Sequence, residues 1–414
     1  MIGISKEFMR NIKPLFSLPV LVAALGYFVD IYDMLLFGIV RIPSLKALGL
    51  SPEQVSLEGV KILNWQMTGL ILGGILWGIM GDKKGRLSVL FGSILTYSLA
   101  NIMCGFVSSV AVYKVLRFVA GVGLAGELGA GITLVSEILP KRLRGIGTSM
   151  VAGIGLLGAV FAFFTVELFD WRTAYFVGGG MGVLLLLLRL GVFESGIFQS
   201  VKERNDLVKG DFFALFRKKE RLLRYLKCIG IGLPTWFVIG ILATFSDEFG
   251  LDLGIRETVD PGLAIMWCYI GLSIGDISSG FLSHYLKSRK KAVLYMMVFT
   301  FFCSGLYLYS GVSSVVALYA LIGFLGFGIG YWAMFVTIGA EQFGTNLRAT
   351  AATTIPNMVR GTVVLMTTLF VVFKGSFSTV NAGGLVGLLC FIVGFYSILT
   401  IPETHDKDLD YLEV

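Results

Sequence analysis

Four charged side chains sit deep in stretches that are otherwise apolar: Asp30 and Asp33 in the run 17–40, Arg117 in 111–133 and Arg360 in 350–373. An ionisable group in hydrocarbon needs a partner, a water-filled cavity or a function. Asp30 and Asp33 stand three residues apart, which puts both on one face of a helix. By helix rise, Asp30 lies about 20 Å along its span and Arg117 reaches about the same level from the opposite end. Two carboxylates facing an arginine can exchange a proton when access and desolvation alternate with conformation. The alternative is a static ion pair that ties the first and fourth helices. Arg360 lies about 15 Å into the eleventh span, and no acid shares that span. A midplane arginine facing a cavity grips a carboxylate with two parallel donors; the alternative is a pair with Asp276 or with a backbone carbonyl. Tyr331, Trp332, Trp236, Gln66 and Asn357 fall at similar depths. They are candidates for lining that cavity, although each also reads as ordinary helix packing.

These residues need long apolar elements to hold them, and the composition supplies little else. Of 414 residues, 56% are hydrophobic and only 15% charged, against about 25% in soluble proteins, so the chain lacks the polar surface to face water all round. That excludes a soluble enzyme, a disordered scaffold and a nucleic-acid binder. Twelve runs reach the roughly 20 apolar residues that span a bilayer: 17–40, 62–80, 88–108, 111–133, 146–166 and 173–193, then 226–246, 263–283, 291–310, 314–338, 350–373 and 381–401. Lysine and arginine gather in alternate loops, at Lys83, Lys84 and Arg86, at Lys141, Arg142 and Arg144, and at Lys287, Arg289, Lys290 and Lys291. The opposite side carries Asp247, Glu248, Asp252, Glu257 and Asp260 against Arg256 alone. The positive-inside rule makes the basic loops and both termini cytoplasmic, in keeping with a bacterial inner membrane. The net charge of +7 therefore reports topology, not nucleic acid. The basic start at Lys6, Arg10 and Lys13 precedes no cleavage-site pattern, so the first span is expected to be retained. Five cysteines without CxxC spacing and two histidines (His284 and His405) offer no metal site.

The residues 194–225 form the long basic linker between two sets of six spans, 1–193 and 226–414. Its run Arg217, Lys218, Lys219, Arg221 and Arg224 reads as an amphipathic segment near anionic headgroups. The two sets also repeat. Glu137 and Arg144 close the fourth span, and Glu341 and Arg348 close the tenth, both at an offset of 204 residues. Gly330 likewise answers Gly126. Two related six-helix halves imply a site between them, exposed alternately as they rock.

Three motifs carry a family resemblance. Gly78-Ile-Met-Gly-Asp82-Lys-Lys-Gly85-Arg86 after the second span resembles the G-x-x-x-D-[RK]-x-G-R signature of the major facilitator superfamily. Gly78 permits close helix approach and Gly85 a tight turn. Arg117-x-x-x-Gly121-x-Gly123 resembles the fourth-helix motif of that superfamily, whose arginine is tied to proton coupling, and Gly126-Glu127 continues it as in the metabolite:proton symporter and sugar porter branches. Gly121-x-Gly123-x-x-Gly126 also matches a dinucleotide fingerprint, but inside a membrane span that reading fails. Asp30-Ile-Tyr-Asp33-Met resembles the E-W-Y-D-F segment of the metabolite:proton symporters, with Asp30 in place of the glutamate.

The resemblance implies an all-α fold of twelve transmembrane helices (6+6) and a secondary transporter with no cofactor beyond the proton gradient. It implies Asp30, Asp33, Arg117 and Glu127 as the coupling set. Gly78, Asp82, Gly85, Arg86, Glu137, Arg144, Glu341 and Arg348 would form a cytoplasmic gate, either as a latch between halves or as exposed pairs worth about 0–1 kcal/mol each. Arg360 favours a small organic anion or zwitterion, a carboxylate above all, imported by a monomer. A proton-driven exporter and a non-transporting receptor are the alternatives. The first lacks a glycine-proline pair in the fifth span, where Gly153, Gly155 and Gly158 stand instead, and the second lacks room for a signalling domain in the linker. No GxxxxGK[ST], HExxH or GxSxG pattern points to ATP drive or to an enzyme.

Overall fold

The computed structural model describes residues 13–84, 86–129, 144–193 and 212–405, together with 131, 135 and 139. The described chain is helical without a strand. In the first half run α1 (Leu18–Ala47), α2 (Pro52–Lys84), α3 (Arg86–Gly105), α4 (Val110–Leu124), α5 (Arg144–Leu168) and α6 (Trp171–Phe193). In the second run α7 (Lys219–Phe237), α8 (Pro261–Leu286), α9 (Arg289–Tyr309), α10 (Val315–Gly328), α11 (Trp332–Glu341), α12 (Thr345–Gly361), α13 (Val363–Lys374) and α14 (Thr379–Thr400). Among the described residues, eleven helical segments are long and apolar enough to cross a bilayer. The remaining expected span begins as α4 and continues through residues that are only partly described. Polar caps start several helices: Ser109 accepts from the Val112 amide, Ser288 from Lys291, Ser314 from Ala317, and Asp260 from Gly262 ahead of Pro261.

Some helix ends depart from the hydropathy pattern, for a physical reason. The first span is expected to stop at Val40 because Arg41 is charged, yet α1 runs on to Ala47. Arg41 stays in the helix, 1% exposed, because Asp247 and Glu248 neutralise it from the other half. Likewise α7 begins at Lys219, inside the stretch expected to be linker, and continues past Pro234 into a π-helical turn at Val238–Ala243. A segment of this kind interrupts regular hydrogen bonding and is common near functional sites.

The internal repeat is visible in backbone contacts. Between α2 and α4, Gly69 packs on the Phe118 carbonyl, Gly73 on the Val122 carbonyl and Gly121 on the Gln66 carbonyl, so close that a β-carbon would collide. Between α8 and α10 the same three-way contact recurs: Gly271 on Gly323, Gly275 on Phe327 and Gly326 on Cys268. Both fourth-position helices then break at matching places. After Leu124 the chain turns at Ala125 and Gly126 and resumes a helix at Glu127; after Gly328 it turns and resumes as α11 at Trp332. Interrupted helices near the midplane expose polar backbone only where protein or a cavity receives it. The halves meet mainly along two helix pairs, α5 with α8 and α2 with α12, with lesser contacts of α1 on α8 and α2 on α13.

Candidate functional site

Three buried arginines organise the centre, and each has a different set of partners. Arg117 on α4 is fully enclosed. Its Nε donates to Gln66 Oε1 at 3.2 Å, its Nη1 to Asn101 Oδ1 at 2.8 Å and its Nη2 to the Asp33 carbonyl at 2.9 Å. The guanidinium lies 5.5 Å from the Tyr175 ring centre. The Asp33 carboxylate feels the Arg117 charge and has the Asn101 side chain beside it. It also lies over Gly178 of α6, where a β-carbon would strike its Oδ1.

Arg189 on α6 forms a two-pronged pair with Glu127, at 3.0 and 2.9 Å, and Ser93 adds a hydroxyl to the same carboxylate at 3.2 Å. Gly26 of α1 leaves the space that this pair fills. Glu127, expected among the coupling residues, is thus bound on both oxygens within the first half. Arg189 carries no role in the sequence reading. Its signal was nevertheless present, as a lone cation at the end of the leucine run 184–188.

Arg360 on α12 differs from both. Its nearest acid is Asp30 of α1, with Nη2 and Oδ2 3.8 Å apart and no hydrogen bond between them. Its Nη1 reaches Asn357 Oδ1 at 3.4 Å, while Nε and Nη2 have no hydrogen-bond partner among the described residues. Neither oxygen of Asp30 has one. Asp30 and Arg360 are both 0% exposed, and they come from opposite halves. The Trp332 ring stands 5.9 Å from the guanidinium, within cation–π range, and Trp236 meets Trp332 edge to face at 6.3 Å. The Trp236 indole N–H is also without a partner among the described residues, and the Tyr27 hydroxyl, one turn from Asp30, has the Trp332 side chain beside it. A buried polar group left unpaired is costly, and here several converge on the seam between the halves.

This arrangement corrects several expectations. Asp30 does not join Asp33 in facing Arg117; the two carboxylates diverge toward different arginines. Depth along a helix follows from rise, but the direction a side chain takes around the axis depends on which helices surround it. Asp276 is not the partner of Arg360 either, since its Oδ1 accepts from the Ala333 amide at 3.1 Å and so caps α11. Of the expected cavity liners, Trp332, Trp236 and Asn357 gather near Arg360, whereas Gln66 and Tyr331 do not. Gln66 bridges Arg117 and the Met34 carbonyl, and the Tyr331 hydroxyl donates to the Ile231 carbonyl at 3.1 Å.

At the basic-loop end, Gly78 faces Thr354 of α12 across the seam at ordinary contact distance. Glu341 pairs with Arg289 at 2.8 Å, inside the second half. Gly85 and Glu137, and the side chains of Asp82, Arg86, Arg144 and Arg348, lie outside the described residues. A charge network that does join the halves stands at the acidic-loop end, where the sequence reading placed none. Arg41 meets Asp247 at 2.7 Å and Glu248 at 3.7 Å; Ser56 donates to Glu248 at 2.7 Å, and Lys374 pairs with Glu248. Burial pushes the Asp247 carboxyl above its ordinary value, with Arg41 acting against that rise.

The comparisons with known proteins fit this geometry. The family model described as "Major Facilitator Superfamily" matches residues 23–365, and the chain belongs to that family of membrane transporters. The sialic acid transporter NanX of Escherichia coli K12 is 26% identical over 84% of this chain and 83% of its own. The cis,cis-muconate transport protein of Acinetobacter baylyi is 26% identical over 92% of this chain and 94% of its own. Among solved structures, the proton:xylose symporter XylE bound to 6-bromo-6-deoxy-D-glucose superimposes with a TM-score of 0.69 over 97% of this chain and 98% of that one. At 16% identity the match shows a shared fold. The protein is an integral membrane transporter.

Proposed function

We propose that the protein imports a small organic carboxylate together with protons, by alternating access, as a monomer in a bacterial inner membrane with both termini cytoplasmic. The observation that carries this reading is Arg360: a buried guanidinium at the seam between the halves, with Nε and Nη2 bare and Trp332 over its face. A planar carboxylate matches those adjacent donors, and each half would gain or lose its contacts as the halves rock. The relatives named for sialic acid and for cis,cis-muconate support an acid as cargo. Asp30, buried with neither oxygen hydrogen-bonded by the described residues, and Asp33, buried beside Arg117, are the proton carriers of this reading. Glu127 with Arg189 serves as a fixed strut. The halves 1–193 and 226–414 are the moving bodies, and the charges at the basic-loop end, Asp82 and Arg144 among them, hold the cytoplasmic side shut when the site faces outward.

Uptake into proteoliposomes under an imposed inward proton gradient tests this. A panel of radiolabelled carboxylic acids should contain at least one that wild type concentrates, while its neutral amide is not taken up. Arg360→Lys should lose most of that uptake, because an ammonium cannot reproduce a planar pair of donors. Accumulation of amides as readily as acids would end the carboxylate assignment.

A further inference from the structure

The unpaired donors around the Trp332 ring do not all belong to Arg360. We infer that Trp236 is a second recognition point, whose indole N–H selects, among flat carboxylates, those that carry a hydrogen-bond acceptor remote from the carboxylate. The inference rests on the carboxylate reading proposed above and adds to it the feature by which one acid is told from another.

Trp236 lies in α7 between Pro234, which has no amide N–H to give, and the π-helical turn Val238–Ala243. Its side chain comes from a 2% exposed residue and meets the Trp332 ring edge to face at 6.3 Å. The Arg360 guanidinium stands 5.9 Å from the same Trp332 ring, and Phe335 is tilted against it at 5.0 Å. One indole thus has a cation and a second indole as neighbours.

The other polar groups of this neighbourhood are committed. The Tyr331 hydroxyl donates to the Ile231 carbonyl, with the Thr235 side chain beside it. Asp276 caps α11, and the Tyr27 hydroxyl has the Trp332 side chain beside it. Asn357 donates to the Ala125 and Thr353 carbonyls and accepts from Arg360. Among the described residues around Trp332, the donors left without a partner are Arg360 Nε and Nη2 and the Trp236 nitrogen. The acceptors left are the oxygens of Asp30, which face Arg360.

That pattern specifies a ligand. Arg360 Nε and Nη2 are adjacent on one plane and take the two oxygens of a single carboxylate. An indole nitrogen donates and never accepts, so a cation or an amide N–H cannot satisfy Trp236. It needs an acceptor of its own: a ring nitrogen, a carbonyl or a second carboxylate. Trp332 offers a flat wall to the part of the ligand that joins the two acceptors. A carboxylate without the second acceptor fills the fork and leaves a buried donor unpaired. A site built to make a hydrogen bond rejects an analogue that lacks the matching group far better than a purely apolar pocket rejects a missing methylene.

The test uses full-length protein in nanodiscs at neutral pH. It compares benzoate with picolinate, nicotinate and isonicotinate, in which one ring carbon becomes nitrogen, and with the three formylbenzoates. These probes add one acceptor at successive distances from the carboxylate and add no donor. At least one should bind wild type tighter than benzoate by about tenfold or more. Trp236→Phe keeps a ring beside Trp332 but loses the N–H, and should bring that ratio to about one. A second measurement needs no variant. Of the six indole N–H signals in protein labelled with nitrogen-15 at tryptophan, one should move downfield with the preferred probe and not with benzoate. Benzoate binding as tightly as every derivative, a preference that survives in Trp236→Phe, or indole signals that answer both ligands alike overturns the second recognition point and leaves the carboxylate reading standing. If no probe binds wild type, or if each acid and its neutral amide bind equally, the carboxylate reading fails and the role of Trp236 falls with it.

Discussion

Arg117 and Arg360 are equally buried, yet they have opposite surroundings. Arg117 spends its donors on Gln66, Asn101 and the Asp33 carbonyl, all from its own half. Arg360 makes one long contact with Asn357 and faces Asp30 of the other half across 3.8 Å. The donors of the first are committed, whereas two nitrogens of the second have no hydrogen-bond partner among the described residues. Burial alone does not distinguish the two arginines. The count of committed donors does.

The largest expected effect comes from removing the committed arginine. Arg117→Ala should lower the unfolding free energy by about 3–5 kcal/mol, the usual loss when one member of a buried charge set is deleted. Thermal unfolding in detergent measures it, and a melting point unchanged from wild type would erase the distinction drawn here.

Arg360→Ala should reverse the pattern. Carboxylate binding weakens by about 2–5 kcal/mol, well over tenfold, while the melting point without substrate falls less than in Arg117→Ala. Equal losses of affinity for an acid and its neutral amide would instead make Arg360 a structural residue.

Arg41 sharpens the comparison as an intermediate case, since it is well paired but across the halves. Arg41→Gln should shift the population toward an open acidic-loop end. A tenfold shift requires about 1.4 kcal/mol, within reach of one charge network. Labelling of a cysteine introduced at Ser56 reports the opening, and unchanged labelling would remove Arg41 from the gate.

The smallest effect is a dependence on pH. With Asp247 buried, its pKa stands above the ordinary carboxylate value, whereas in the open form the same group is hydrated. The form with the higher pKa binds protons more readily, so acidification favours closure and rising pH erodes it between the two values. The same cysteine should be less reactive in acid than at neutral pH, after correction for thiolate content, and Asp247→Asn should flatten that trend.

Much of this molecule could be read from its chain. The spans, the two halves and the offset between Gly126 and Gly330 follow from hydropathy and glycine placement, because each is a local property. The partner of Asp30 could not be read, since Arg360 lies on another half and its direction is set by the packing of α1 against α8 and of α2 against α12. Arg41 and Arg189 were visible as charges in apolar surroundings. Their acids, Asp247 and Glu127, lie 206 and 62 residues away, beyond any periodicity.

The glycines of the bundle imply a division of stiffness. Inside each half, Gly69, Gly73 and Gly121, and their counterparts Gly271, Gly275 and Gly326, press main chain against main chain. Main chain has no rotamers with which to yield, so α2 with α4 and α8 with α10 behave as welded girders. Between the halves, Gly74 meets the Asn357 side chain, Gly361 meets Ile71 and Gly129 meets Thr353. There the neighbour is a side chain, the Ile71 tip at Gly361, Asn357 from its β-carbon outward at Gly74 and Thr353 down to its α-carbon at Gly129. Parting the seam therefore disturbs mainly side chains, whereas parting the girders separates whole helices, and the same small residue produces both by what stands opposite it.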